Sequence, residues 1–404
     1  MIPLGCEKGR VMMSEGTEFT SSKAEQIARY IAEAEQSGVK ALRAGDVPSN
    51  IEALTPEWLD SVICREYPGA GVTGFTIEHV SSGTHARHRL HLTYNDAGTS
   101  AGLPATLFTK SLPTVEIRMI SGTTMHVRTE GNFYTQLRPQ LNLEIPRCYH
   151  TVFDAETYAG LHLLEDLCAT KGASFCGFET PITRAEAEDM LSLLAGVHGH
   201  FYDDSRFSAE YKWVVPYTKW FLGGNAKLDV ELSTEKTMDR AANIIPSRLL
   251  ARRKDIWPAT IAALKPHDER PHTFLHSDVH IGNWYKTGAG RMGLCDWQCA
   301  GRGHWARDVS YALSTALRIE DRRAWERDLL SGYIEQLQEV SGEKFGFEDS
   351  WTLYRQQMLH GLMNWTITLC PNGHLPAMQT DETSLALIER MCAAIDDLES
   401  LDAV

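Results

Sequence analysis

Residues 274–283 read Phe-Leu-His-Ser-Asp-Val-His-Ile-Gly-Asn, and residues 294–297 read Leu-Cys-Asp-Trp. The first stretch has the form HxDxxxxN, with Asp278 and Asn283 at fixed spacing. Between Asn283 and Asp296 a Gly-rich turn separates two short apolar stretches, which is typical of a β-hairpin. Such a hairpin would return Asp296 to the side of Asn283.

These three polar residues suit phosphoryl transfer. The transferred group carries dense negative charge, so catalysis depends mainly on positioning and on Mg²⁺. Asp278 would act as the base or orient the attacking hydroxyl. Asn283 and Asp296 would hold the metal, because Mg²⁺ prefers oxygen ligands. The alternative is that Asp278 only caps the loop and Asn283 only forms a turn; the strict spacing favours the functional interpretation.

The turn at residues 288–293 also matches the pattern GxGxxG. A dinucleotide-binding fingerprint must open a helix, whereas here Met292 begins an apolar stretch typical of a strand. The pattern therefore does not indicate a dehydrogenase-type enzyme.

Composition narrows the class of protein. The chain has 404 residues, a length that favours two lobes, and a formal charge of −14 that disfavours nucleic acid as a partner. No apolar run approaches the length of a membrane-spanning helix, so no membrane association is expected. The scattered cysteines form no CxxC pair, which predicts reduced thiols and a cytoplasmic location. The oligomeric state stays unknown.

The pattern of apolar residues divides the chain into a β-rich part followed by a mainly helical part. Thr183 and Glu186 form a predicted capping box at the start of the helical part. One of the helices of this part is predicted near residues 237–251. The predicted domains are an N-terminal extension and helix at 1–50, a β-rich lobe at 51–164, to which the family resemblance given next assigns nucleotide binding, and a C-terminal lobe at 165–404 with a helical insertion at 203–272.

The HxDxHxGN form of the loop, together with Asp296-Trp297-Gln298, resembles the aminoglycoside phosphotransferase/choline kinase superfamily, relatives of protein kinases. The Asp-Trp-Gln variant is similar to the ecdysteroid-kinase-like and related bacterial branch. The resemblance spans about residues 70–400. It implies an α+β, bilobal, protein-kinase-like fold, with a small β-rich N-lobe containing one key helix and a larger mainly α-helical C-lobe. It also implies that the γ-phosphate of ATP is transferred, with Mg²⁺, to a small-molecule hydroxyl.

The same resemblance implies a lysine–glutamate pair upstream. Lys110, on a predicted strand, would grip the α- and β-phosphates, and Glu130, at the start of the next helix, would be its partner. Taken alone, Lys110 could be a solvated edge lysine and Glu130 an ordinary acid in a first helical turn.

Further nucleotide contacts are implied at two places. A turn covering the phosphates would consist of Ser82, Gly83 and Thr84, although a plain hairpin turn is equally compatible with these residues. The backbone of Glu165 and Leu167 would form a hinge that hydrogen-bonds adenine.

Two residues would support the catalytic loop in this resemblance: His276 would brace it, and Asp308 would anchor it from the following helix. The insertion and the C-terminal helices would form the acceptor pocket. The aromatic residues of the insertion could equally be core; they are Tyr211, Trp213, Tyr217, Trp220 and Phe221.

Three alternatives to a small-molecule kinase remain in view. A protein kinase is disfavoured because only residues 297–307 separate Asp296 from Asp308 and no Ala-Pro-Glu tripeptide occurs. A nucleotide-binding pseudokinase and a protein kinase-like regulator are the others. The acceptor class stays open among aminoglycosides, macrolides, choline-like alcohols, sugars, sterols and hydroxyacyl compounds.

Overall fold

The computed structural model describes residues 8–83, 85–372 and 378–404, with the backbone alone for 8–21. Thr84, one of the predicted turn residues, lies outside this part. Two compact units are present: the chain up to Gly131 with Arg147–Asp166, and Asn132–Pro146 with Leu167–Val404. The first carries an antiparallel sheet and the second is mainly helical, which confirms the predicted α+β class.

Unit 1 is built on a five-stranded antiparallel sheet with the strand order β1-β2-β3-β5-β4. The strands are β1 (Val72–Ser82), β2 (Ala86–Tyr94), β3 (Thr106–Ser111), β4 (Cys148–Phe153) and β5 (Gly160–Glu165). The helices are α1 (Lys8–Ser37), α2 (Pro56–Ile63), α3 (Asp96–Ser100), α4 (Val115–Thr124) and α5 (His126–Asn132).

The core of unit 1 includes part of the segment predicted to be an extension. Ala41 is buried in one cluster with Trp58 and with the sheet residues Leu90 and Leu107, and Ala44 packs against this cluster. Helix α2, which carries Trp58, begins after Thr55, whose hydroxyl accepts the Trp58 N–H and so satisfies a free donor of the first turn. Residues before position 50 therefore help to stabilise the sheet.

Unit 2 contains short strands and most of the helices. Its strands are β6 (Ser174–Phe175), β7 (Thr273–Leu275), β8 (Trp284–Lys286), β9 (Met292–Leu294) and β10 (Gly301–Gly303). Its helices are α6 (Leu167–Lys171), α7 (Arg184–His200), α8 (Tyr217–Leu228), α9 (Val230–Arg240), α10 (Ser247–Ala251), α11 (Ile256–Ala262), α12 (Lys265–Glu269), α13 (Ala306–Ala316), α14 (Ile319–Ser341), α15 (Phe347–Leu369) and α16 (Asp381–Asp397). Strand β7 pairs with β10, and β8 pairs with both β6 and β9.

One predicted helix of unit 2 is wrong in its extent. The helix expected near 237–251 is two helices, because α9 ends at Arg240 and α10 begins after Pro246. A proline disfavours helical backbone in the residue before it, so the chain cannot run through this point as one helix.

The start of α7 is confirmed as a capping box. The Glu186 N–H donates to Thr183 Oγ1, and the Thr183 N–H donates to Glu186 Oε2. Its last turn carries the buried His198. In the described part of the chain, no helix has the length and apolar character needed to cross a membrane.

Candidate active site

The sheet of unit 1 carries the predicted lysine–glutamate pair. Lys110 Nζ on β3 lies 2.9 and 2.7 Å from the two carboxylate oxygens of Glu130 on α5. The two side chains are 5% and 0% exposed. Helix α5 lies very close to the sheet at Gly131, where a Cβ atom would come within 2.7 Å of Thr151 Oγ1. Glycine at that position therefore lets Glu130 reach the strand.

Strands β1 and β2 pair as a hairpin up to Ser82 and Ala86. Ser82 pairs with Ala86, and the Gly83 N–H donates to the carbonyl of His85 at 3.1 Å. This geometry fits both interpretations that the sequence left open, a cover for phosphates and a plain turn.

The predicted hinge residues lie at the end of β5 and the start of α6. The Glu165 N–H donates to the Arg147 carbonyl at 2.8 Å, and the Leu167 carbonyl accepts the Ala173 N–H at 3.1 Å. Arg89 on β2, which the sequence did not single out, donates from Nε to the buried Asp166 at 2.7 Å. The residue between the two predicted hinge positions is thus fixed by an ion pair.

In unit 2 the carboxylate of Asp308 binds the backbone of the loop that follows β7. The N–H groups of His276 and Ser277 donate to its two carboxylate oxygens at 2.7 and 3.0 Å. Ser277 has φ +65°, a left-handed conformation that turns both N–H groups toward one side chain. Burial would raise the pKa of Asp308, but the hydrogen bond from His198 and nearby positive charge hold it below its usual value. A buried anion therefore fixes the loop backbone.

His276 joins the loop to the strand that precedes Asp296. Its Nδ1 accepts the Asp278 N–H at 3.2 Å, so Nε2 carries the proton that is donated to the Cys295 carbonyl at 3.0 Å. Burial lowers the pKa of His276, which keeps the ring neutral at physiological pH. This is the bracing position that the family resemblance implied.

The carboxylate of Asp278 is partly exposed, at 21%. Its Oδ1 accepts the Tyr311 hydroxyl at 3.3 Å. Its Oδ2 lies 3.4 Å from Asn283 Nδ2 and 3.8 Å from His280 Nε2. The His280 Nδ1 atom accepts the Gly282 N–H, so the edge of the ring turned toward Asp278 carries a proton in the neutral form. The side chain is thus oriented by several donors and still reachable from solvent.

The hairpin β8–β9 places Asp296 next to Asn283, as the sequence predicted. Trp284 pairs with Leu294, and the Cys295 N–H donates to the Asn283 carbonyl at 3.0 Å. The turn is closed at Gly290, whose φ of +79° suits glycine. The backbone of Asp296 is also left-handed, with φ +68°, a region that aspartate tolerates better than most residues.

The oxygen atoms of Asn283 and Asp296 are suitable ligands for Mg²⁺. The Asn283 amide nitrogen donates to the Asp278 carbonyl at 2.7 Å, which leaves the amide oxygen as the group suited to a cation. One amide oxygen and one carboxylate are a typical partial shell for Mg²⁺, which keeps waters and binds substrate phosphates. Within the described residues, no group of three or more His, Cys, Asp or Glu side chains could hold a metal ion.

The aromatic residues of the insertion mostly serve the core. Tyr211, Tyr217 and Phe221 are buried, and the Trp213 indole donates to Gln136. For these three buried rings, the alternative of a core role holds. The Tyr217 hydroxyl accepts the Arg307 Nε–H at 3.1 Å.

Sequence reasoning missed three residues around the loop. Arg307 donates to the Ser277 carbonyl at 3.1 Å, and Trp365 donates to the Tyr311 hydroxyl at 2.8 Å. Tyr311 follows Asp308 by one helical turn, so the spacing placed both on one face of α13. No comparable signal pointed to Trp365, which lies on a helix more distant in sequence.

A lysine–glutamate pair on a sheet, a loop aspartate and asparagine, and a second aspartate on a hairpin are the groups of a kinase-type phosphotransferase. The family model described as the phosphotransferase enzyme family matches residues 118–342, more than half of the chain. The chain belongs to this family.

Several solved structures are similar to this chain. The GDP complex of aminoglycoside 2'-phosphotransferase-IIIa is 11% identical with a TM-score of 0.45, over 77% of this chain and 90% of that one. An ethanolamine kinase from Plasmodium vivax is 11% identical with a TM-score of 0.45, over 79% and 81%. A macrolide 2'-phosphotransferase from Brachybacterium faecium is 12% identical with a TM-score of 0.41, over 76% and 91%. Comparison with curated proteins gave no match. These similarities are too low to indicate a substrate, and family membership rests on the family match.

Proposed function

We propose that this protein transfers the γ-phosphoryl group of ATP to a hydroxyl group of a small molecule, with Mg²⁺ as the cofactor. The observation that carries the proposal is the position of Asp278. Its carboxylate is partly exposed, while the groups that hold its loop, Asp308 and His276, are buried. A base must be reachable by the acceptor and yet be held at a fixed orientation.

In this reaction an oxygen–phosphorus bond forms at the acceptor hydroxyl and the bond between the γ-phosphorus and ADP breaks. Asp278 would orient the hydroxyl and accept its proton late in the transfer. Lys110 would contact the α- and β-phosphates, with its amine held in place by Glu130. Asn283 and Asp296 would hold Mg²⁺, which when bound supplies positive charge against the β- and γ-phosphates.

A small acceptor is favoured over a protein by the segment after Asp296. The residues between Asp296 and Asp308 form a short turn at Trp297–Cys299, strand β10 paired with β7, and the start of α13. This segment is therefore folded within unit 2, whereas protein kinases have a longer activation segment at this position that binds a polypeptide.

The test is a screen of hydroxyl compounds from the acceptor classes named above, with Mg·ATP and separately with Mg·GTP. ADP formation is followed together with mass spectrometry for an added phosphoryl group. We expect at least one acceptor to gain a phosphoryl group with the wild-type protein, and the same acceptor to gain it about 10²–10⁴ times more slowly with Asp278→Asn. A protein that binds Mg·ATP but phosphorylates no compound would support the nucleotide-binding regulator instead. Failure to bind either nucleotide would contradict both.

A further inference from the structure

We propose that Tyr311 and Trp365 act as a positioning pair that fixes the orientation of the Asp278 carboxylate through a hydrogen bond to Oδ1. The inference rests on the proposed function, in which Asp278 is the base. Neither residue belongs to the loop motif, and each lies on a different helix, α13 and α15.

The direction of each hydrogen bond follows from the chemistry of the groups. The Trp365 indole nitrogen can only donate, so at 2.8 Å the Tyr311 oxygen is the acceptor. The single hydroxyl proton of Tyr311 is then left for Asp278 Oδ1, at 3.3 Å. A carboxylate oxygen can only accept, so the two bonds form one directed chain from Trp365 to Asp278.

The surroundings of Tyr311 keep this chain in one state. Tyr311 is buried, and its ring packs under the Arg307 guanidinium at 4.6 Å. Burial raises the pKa of the Tyr311 hydroxyl well above its usual value, so it stays a donor throughout the working pH range.

The second carboxylate oxygen, Oδ2, has two donors nearby, Asn283 Nδ2 at 3.4 Å and His280 Nε2 at 3.8 Å. These contacts and the 3.3 Å bond at Oδ1 are all longer than well-formed hydrogen bonds. Because a carboxylate oxygen can accept more than one hydrogen bond, the Asp278 carboxylate keeps the capacity to accept from an acceptor hydroxyl. His280 packs edge-on against Trp365 with ring centroids 5.3 Å apart, so the same indole also supports the neighbour of Oδ2.

The kinetic test uses Mg·ATP with water as the acceptor, followed as phosphate release. Tyr311→Phe removes only the hydroxyl and should lower kcat about ten- to hundredfold with KM for Mg·ATP unchanged, because misplacement of a reacting group costs rate. Trp365→Phe should have a smaller effect. The double variant should be no slower than Tyr311→Phe alone, because the two residues act through one chain.

Tyr354→Phe is the matched control. It also removes a buried hydroxyl that is bonded to a carboxylate, Glu326 at 3.2 Å, but away from the loop. Its kcat should equal that of the wild type. Equal losses in Tyr311→Phe and Tyr354→Phe, or no loss in either, would overturn the positioning role, as would additive effects of Tyr311→Phe and Trp365→Phe.

A second readout separates this inference from the proposed function. Crystal structures of the wild type, Tyr311→Phe and Tyr354→Phe should show the Asp278 carboxylate rotated or in two orientations only in Tyr311→Phe. If the wild type phosphorylates none of the screened compounds but this rotation occurs, the positioning pair stands and the proposed function falls. An unchanged Asp278 in Tyr311→Phe would overturn the pair whatever the activity.

Discussion

The two charged sites of this protein are built in opposite ways. In unit 1, Lys110 and Glu130 are both buried and satisfy each other directly. In unit 2, Asp278 is partly exposed and is oriented by the uncharged hydroxyl of Tyr311 and by the Asn283 amide. In the first site two opposite charges are buried against each other, whereas in the second site a single negative charge is partly exposed to solvent.

This difference determines what each site contributes. A buried ion pair is desolvated on both sides, so removing one partner leaves an uncompensated charge in the interior. A partly exposed carboxylate can be replaced with little change in the free energy of unfolding. Substitutions in unit 1 should therefore affect stability and nucleotide binding together, whereas a substitution at Asp278 should affect turnover alone.

The largest effect should come from Asp278→Asn. Turnover of Mg·ATP with the acceptor found in the screen should fall by about 10²–10⁴, because a general base is lost. The free energy of unfolding should change by less than about 0.5 kcal/mol, as for other partly exposed positions. Steady-state kinetics, calorimetric titration of Mg·ATP and urea unfolding give the three values. If this variant also lost Mg·ATP binding, Asp278 would contribute to nucleotide binding as well as to turnover, and the proposed difference between the two sites would be wrong.

Lys110→Met should destabilise the protein by about 3–5 kcal/mol, because Glu130 stays buried and loses the ammonium group of Lys110. The double variant Lys110→Met/Glu130→Gln should regain much of this stability, since no unpaired charge remains. Neither variant should recover wild-type affinity for ATP. Urea unfolding and nucleotide titration of both variants measure the two effects.

Arg184→Met is the control for this prediction, since the pair between Arg184 and Glu188 is exposed on both sides. It should change the free energy of unfolding by less than about 1 kcal/mol. A Lys110→Met variant as stable as this control would mean that the buried pair contributes to function alone.

The parts of the site that lie within short motifs were predictable from sequence. The spacing of Asp278 and Asn283 and the glycine-rich hairpin before Asp296 are local patterns, and local backbone geometry determines where they lead. The capping box at Thr183 is of the same kind. The pair of Lys110 and Glu130 came from the family resemblance, and the prediction that Glu130 starts the next helix was wrong, because α4 lies between β3 and the helix that carries Glu130.

The residues that hold the site in place were harder to predict from sequence, because their contacts depend on which helix and strand faces pack together in the folded protein. Arg89 and Asp166 are 77 positions apart, and Trp365 and Tyr311 are 54 apart. An apolar pattern indicates that a helix face is buried but not what it is buried against. The packing of residues near Ala41 on the sheet escaped prediction for the same reason.

Asp308→Asn tests how much the buried carboxylate that holds the loop of Asp278 contributes to the stability of unit 2. Loss of a charged acceptor for two backbone N–H groups should cost roughly 1.5–3 kcal/mol at neutral pH. The folded-state pKa of Asp308 is below its ordinary value, so its contribution is present above the unfolded-state pKa, near 3.9, and is lost as pH falls through the folded value. The gap in stability between wild type and variant should therefore shrink below about pH 4. Urea unfolding at pH 7, 5, 4 and 3 checks this, and a gap independent of pH would assign the effect to packing.

The smallest effect expected is that of Asp296→Asn on metal-dependent binding. Asparagine suits the left-handed backbone at φ +68°, so the hairpin should keep its geometry while one negative charge is lost. Affinity for Mg·ATP should fall about tenfold, close to 1.4 kcal/mol, while affinity for ATP without metal should be unchanged or higher, because a carboxylate near the phosphates has been removed. Calorimetric titrations with Mg²⁺ and with a chelator separate these two quantities.

Asp189→Asn is the control, since Asp189 tethers the same hairpin through Arg291 and the Met292 N–H without being a predicted metal ligand. If both variants lost Mg·ATP affinity equally, the hairpin geometry and not the charge of Asp296 would account for metal binding, and Asp278 would remain the one carboxylate of unit 2 with an assigned chemical role.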